Sequence, residues 1–92
     1  MKIVIREAAD RDLDQIFAWI ARDRPRAARA VIDRILSSVE LLGRFPYVGR
    51  AGKVPGTREW VVRGLPYIVV YSVHEEADAL TILAIFHGAR KR

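Results

Sequence analysis

Ninety-two residues, 51% of them hydrophobic, carry 16 Lys and Arg against 11 Asp and Glu for a formal charge of +5, which makes one globular domain over 1–92 and excludes a disordered chain. The absence of cysteine excludes disulfides and thiolate metal sites and fits a reducing compartment. No apolar stretch approaches the ~18 residues of a membrane span, and MKIVIREAADRD breaks its apolar run with charge, unlike a signal peptide, so the expected location is the cytoplasm.

KIVIR, residues 2–6, concentrates β-branched side chains and predicts a strand. Over 8–22, Ala9, Leu13, Ile16, Phe17 and Ile20 recur at helical spacing. Asp10, Asp12 and Asp14 put negative charge in the early part of this helix, where its dipole favours it. Pro25 suits the first turn of a second helix, whose stripe is Ala28, Val31, Ile32, Ile35, Leu36, Val39 and Leu42. Gly43 suits the residue just past its end, and Pro46 prevents continuation. So short a link forces the helices into an antiparallel hairpin.

TREWVV (57–62), PYIVVYSV (66–73) and ALTILAIF (79–86) read as strands, joined tightly at Arg63 and Gly64 and more loosely through HEEAD (74–78). The last two are nearly continuous apolar runs, which places them centrally in the sheet. The expected fold is a two-layer α+β domain of order β-α-α-β-β-β. Its helical hairpin packs on one face of a small, mainly antiparallel sheet and leaves the other face without helices.

Chemistry is sparse. The histidines are His74, in a predicted turn, and His87, at the end of the last strand; no cluster has metal-ligand spacing, and no cofactor is implied. All but three of the basic residues are Arg, the side chain suited to bidentate contact with carboxylate or phosphate. GRAGKVPGTREW (49–60) presents Arg50, Lys53 and Arg58, and the tail adds Arg90, Lys91 and Arg92. The bland reading of 49–60 is a solvated connection. Strand alternation sends Arg58 and Trp60 to one face, and Glu59 and Val61 to the other. Basic residues interleaved with Trp60, Tyr67 and Tyr71 fit a nucleic-acid surface; the alternative is that these rings are core, and for Tyr71 core is preferred. Cleavage of RNA through its 2′-OH needs an acid, a base and positive charge, which His87 with Arg50, Arg58 and Arg90 would supply if the sheet gathers them. Trp19 borders the first helix's stripe and is either core margin or a partner contact.

The element order, VPGTRE followed by PYIVVY, and the closing His-Gly-Ala-Arg together resemble the RelE/ParE superfamily, the toxins of type II toxin–antitoxin modules, also called plasmid stabilisation proteins. The resemblance spans Lys2 to Arg90. It implies a growth inhibitor neutralised by a cognate antitoxin, whose C-terminal segment wraps the toxin and whose N-terminal part binds promoter DNA. Trp19, Arg50, Arg58 and Trp60 are the expected antitoxin contacts. Arg50, Lys53, Arg58, Arg90, Lys91 and Arg92 are the expected target contacts. RelE-type members cut mRNA on the ribosome; ParE-type members poison DNA gyrase. In the RelE pattern an arginine precedes VVY, where this chain has Ile68, and its lysines fall where Glu59 and Val61 stand. A further branch closes with His-Tyr, and here Gly88 follows His87. These departures lean the reading toward the ParE branch. A ribonuclease using Arg58 and His87, and an inert toxin that still binds antitoxin, remain the alternatives.

Overall fold

A computed structural model describes residues 1–89. The first strand, β1 (Lys2–Ile5), is followed by helix α1 (Glu7–Ala21) and helix α2 (Pro25–Arg44). Strands β2 (Arg50–Ala51), β3 (Arg58–Val61), β4 (Tyr67–His74) and β5 (Ala79–His87) complete the chain, with one 3-10 turn over Glu75–Ala77 before β5. The five strands form one sheet in the order β1-β5-β4-β3-β2. Only the β1–β5 pair is parallel. The long apolar runs β4 and β5 are indeed central, and the two-layer α+β fold is as expected.

Glu7 and Asp10 in its first turn favour the start of α1, and Pro25 opens α2. Both helices turn their stripes inward. Ala9, Leu13, Ile35, Val39 and Leu42 meet Val69, Tyr71, Leu80, Ile82 and Ile85 of the sheet, and Val62 just past β3, in one core. Phe17 departs from the stripe; it is 40% exposed at the margin of α1. Among the described residues no helix is long and apolar enough to cross a membrane.

The end of α2 differs from expectation. Gly43 is not past the helix but inside it, and α2 continues to Arg44. A Cβ at Gly43 would stand 2.8 Å from Cδ1 of Ile3, so the residue serves close approach of β1 to α2 rather than a left-handed cap. The predicted connection 49–56 also holds β2, whose Arg50 and Ala51 pair with Glu59 and Arg58. Its two residues are too few for a periodicity signal.

One irregularity in β5 sets the side-chain pattern. Val70 faces Ala84 but Tyr71 faces Ile82, so Leu83 is an extra residue, a bulge. Leu80, Ile82 and Ile85 therefore all reach the core although the last two are three residues apart. Beyond Arg6, whose N–H donates to the carbonyl of Ile82 at 3.1 Å, the chain leaves the sheet for α1. On its β1 side the remainder of β5 faces α1 instead of a strand, while β4 pairs along the other edge.

Candidate functional site

Arg58 lies on β3 opposite Tyr71. Its Nη1 donates to the carbonyl oxygens of Tyr47 at 3.2 Å and Gly49 at 2.9 Å, and its guanidinium carbon sits 4.9 Å from the centre of the Tyr47 ring. Two carbonyls and an aromatic face make this guanidinium a brace for the corner between α2 and β2. Tyr71 completes the brace from below: fully buried, it accepts the Gly49 N–H at 2.9 Å and donates to the carbonyl of Pro46 at 2.8 Å. On the rim, the Tyr47 hydroxyl donates to Glu75.

Both phenols hold their protons more tightly than usual. Burial raises the pKa of Tyr71, against the pull of the Gly49 N–H and the Arg58 charge. For Tyr47 the bond to Glu75 is the main cause, followed by partial desolvation and the Glu75 charge, with Arg58 opposing. The folded state thus binds the Tyr71 proton more strongly than the unfolded chain, whose tyrosines titrate near about 10. The resulting stability is fully present below about pH 10 and is lost as pH rises through the folded value. Tyr71→Phe should flatten this alkaline fall in denaturant titrations. At neutral pH it should cost about 1–3 kcal/mol, because the buried Gly49 N–H loses its acceptor.

The other basic candidates scatter. Arg50 donates to Glu59 at 3.2 Å; the arginine side chain is 62% exposed and the glutamate side chain 8%. Glu59 and Val61 occupy the helix-free face, as alternation requires, together with Ile68 and Val70 opposite them. Lys53 is exposed in the 52–57 loop. Trp60 packs partly against the core beside Val69, which leaves only part of its ring accessible. Arg90, Lys91 and Arg92 lie outside the described residues.

His87 and Arg58 do not meet. His87 pairs with Tyr67 and Arg58 with Tyr71, on strands flanking β4 on opposite sides. Four residues along a strand span about 13 Å and two strand spacings about 10 Å, far beyond joint contact with one phosphate. His87 also turns toward the helix side, its ring edge-on to Tyr67 with centroids 5.5 Å apart at 79°. Its Nδ1 accepts the Ala89 N–H at 3.1 Å, so the neutral ring carries its proton on Nε2. His74 closes β4, 3.0 Å from Ser72 Oγ.

His87 instead shares a cleft with Trp19. Between α1 and the free edge of β5 lies a cleft lined by Asp12, Gln15, Trp19, Tyr67 and His87 among others. Asp12 Oδ2 forms its floor by accepting the Ile85 N–H at 2.9 Å. Trp19, 63% exposed, is the rim, with the Arg22 guanidinium 5.4 Å from its ring. Asp12 and Gln15 were absent from the sequence candidates, and Tyr67 was considered there only as a stacking or core ring. A signal existed for Asp12: positions 9, 12, 16 and 19 share one helical row, so an acid there interrupts the buried stripe.

The family described as "ParE toxin of type II toxin-antitoxin system, parDE" matches residues 3–92. The Sinorhizobium fredii protein Y4kP is 40% identical over 73 residues, which cover 79% of this chain and 76% of that protein. Toxin RelE3 of Caulobacter vibrioides is 35% identical over 86 residues, covering 91% of this chain and 90% of that one. Among solved structures, the chromosomal ParDE TA system from P. aeruginosa contains a chain of the same fold, with a TM-score of 0.84, 24% identity and 95% of each chain covered.

Proposed function

The chain belongs to the ParE toxin family of type II toxin–antitoxin systems, and from that premise we propose that it stops growth by binding DNA gyrase, with a cognate antitoxin as its neutralising partner. The observation that carries this reading is the engagement of Arg58. This arginine, which figures in every candidate role, is bonded to two backbone carbonyls and stacked on Tyr47, with His87 on β5 beside the other end of β4. By the resemblance to the RelE pattern, Ile68, Glu59 and Val61 stand where a phosphate-cleaving toxin carries its cations, and neither an acid nor an apolar side chain stabilises a pentacoordinate phosphate. A toxin that acts by docking needs neither. The antitoxin is the partner named with the toxin in the structural relative, and the cytoplasm, where gyrase works, is the compartment this reading requires.

The test is induction of the chain without its antitoxin while DNA and mRNA are followed in the same cells. Double-strand breaks with intact mRNA, together with loss of gyrase supercoiling in vitro at micromolar protein, are the expected results. Codon-positioned mRNA cuts with intact DNA would transfer the activity to a ribonuclease, the reading favoured by the likeness to RelE3; Arg58→Ala and His87→Ala should then abolish it. Normal growth with a stable antitoxin complex would leave an inert antitoxin binder.

A further inference from the structure

The cleft between α1 and β5 is lined by one carboxylate, Asp12, and by no Lys or Arg among the described residues, and the helix that forms its wall is charged oppositely to the molecule. Over Glu7–Ala21, four acids (Glu7, Asp10, Asp12 and Asp14) face a single base, Arg11, a local balance of −3 in a chain of net +5. The cavity measures about 160 Å³, below the roughly 300–1,000 Å³ of small-molecule sites and suited to one side chain. Its floor is the Asp12 carboxylate, held in place by the Ile85 N–H through one oxygen, which leaves the second oxygen for a ligand. Gln15 adds an amide oxygen. The Trp19 indole already lies in contact with a guanidinium, that of Arg22, at 5.4 Å.

We propose that this cleft is a receptor for one arginine side chain of the antitoxin, its guanidinium donating to Asp12 and Gln15 and stacking on Trp19. An acidic floor rejects carboxylates, and a planar aromatic rim prefers a flat guanidinium to a compact ammonium. His87 and Tyr67 close the inner end as an edge-to-face pair and bound the depth to which the side chain enters. Arg22, exposed just past the C-terminal end of α1, competes for the same ring and leaves it when the incoming arginine arrives. The assignment of the donor rests on the toxin–antitoxin reading above; the chemistry of the cleft does not.

Two measurements separate them. In the first, the full-length chain alone is titrated with Nα-acetyl-arginine amide, then with the lysine and glutamate equivalents, while the Ile85 amide and Trp19 indole signals are followed by NMR. The arginine probe should shift both signals saturably in the millimolar range, the lysine probe more weakly and the glutamate probe not at all. Asp12→Asn keeps an acceptor for the Ile85 N–H and should remain folded, yet weaken the arginine probe about tenfold. Arg22→Gln should strengthen it. Equal response to the glutamate probe, no response to arginine, or unchanged affinity in a folded Asp12→Asn protein would overturn the receptor. In the second measurement, the same titration is run on the antitoxin complex. The arginine probe should now be excluded; an Ile85 signal that still responds in the complex would overturn the antitoxin as donor. Absence of any antitoxin complex would instead defeat the toxin–antitoxin reading, with the first titration untouched.

Discussion

Ile35→Ala should destabilise the domain by about 2–5 kcal/mol, whereas Ile16→Ala should cost less than about 2 kcal/mol. The two residues have the same side chain and both lie on predicted stripes. Ile35 is fully buried at the centre of α2, against the sheet. Truncation there removes apolar contacts and leaves a cavity that neighbours on two layers cannot collapse to fill. Ile16 is only partly buried and borders the cleft along α1, where water already reaches one side. A domain this small has roughly 5–14 kcal/mol of stability in total. Loss of Ile35 therefore consumes a large fraction, and the thermal midpoint should fall by about 8 °C or more, at about 4–8 °C per kcal/mol. Denaturant unfolding of both variants checks the pair; equal costs would mean that the helix layer is looser than its burial implies.

Gly49→Ala should be as damaging for a different reason. A Cβ at this position would stand 2.5 Å from the Tyr71 hydroxyl, 2.8 Å from Cε1 of the same ring and 2.9 Å from the backbone oxygen of Glu59. Gly49 does not have a positive φ, so the constraint is space rather than conformation. Insertion into this corner would push Tyr71 off the Gly49 N–H and the Pro46 carbonyl, and would disturb the carbonyl on which Arg58 rests. Overpacking together with lost buried hydrogen bonds sets the cost at about 3 kcal/mol or more. In a Tyr71→Phe background the shortest of these contacts disappears with the hydroxyl. Gly49→Ala should then cost at least about 1 kcal/mol less than in the native background, a coupling that a double-mutant cycle reads directly. Additive costs would show that the corner gives way elsewhere. Gly56→Ala is the contrast: no atom lies within 4 Å of its Cβ, but φ is +85°, so only the conformational penalty of about 1–2 kcal/mol applies.

The fate of Arg58 illustrates where sequence reading reaches its boundary. As one cation in a passage that also holds Arg50 and Lys53, it looks like part of a docking surface. Counting charges assigns every exposed arginine the same role. Only the fold shows that Gly49 and Tyr47 turn their carbonyls toward it and that Tyr71, 22 residues from Gly49, fixes the same turn. The loop's glycines read similarly. Three glycines in a connection suggest flexibility, yet Gly49 is buried and the corner is pinned. Gly43 misled in the opposite direction, since a glycine near a helix end has the composition of a cap whether or not a strand runs close beside it.

The elements themselves were determined locally. The inward rows of α1 and α2 follow from the period of 3.6, the stop near Pro46 from the proline, the central placement of the two long runs from their continuous apolarity, and the helix-free face from there being a single hairpin to cover the sheet. Family membership was likewise legible, because motif order along the chain survives in one dimension. The tertiary structure alone decided which side chains stand opposite one another. Asp12 bonds the amide of Ile85, 73 residues away; the bulge at Leu83 sends both Ile82 and Ile85 into the core; and His87 lies beside Tyr67 and Trp19 rather than Arg58. Each depends on contacts between segments far apart in the chain, whose pairing is selected by packing of the whole domain and leaves no periodic trace in any one segment.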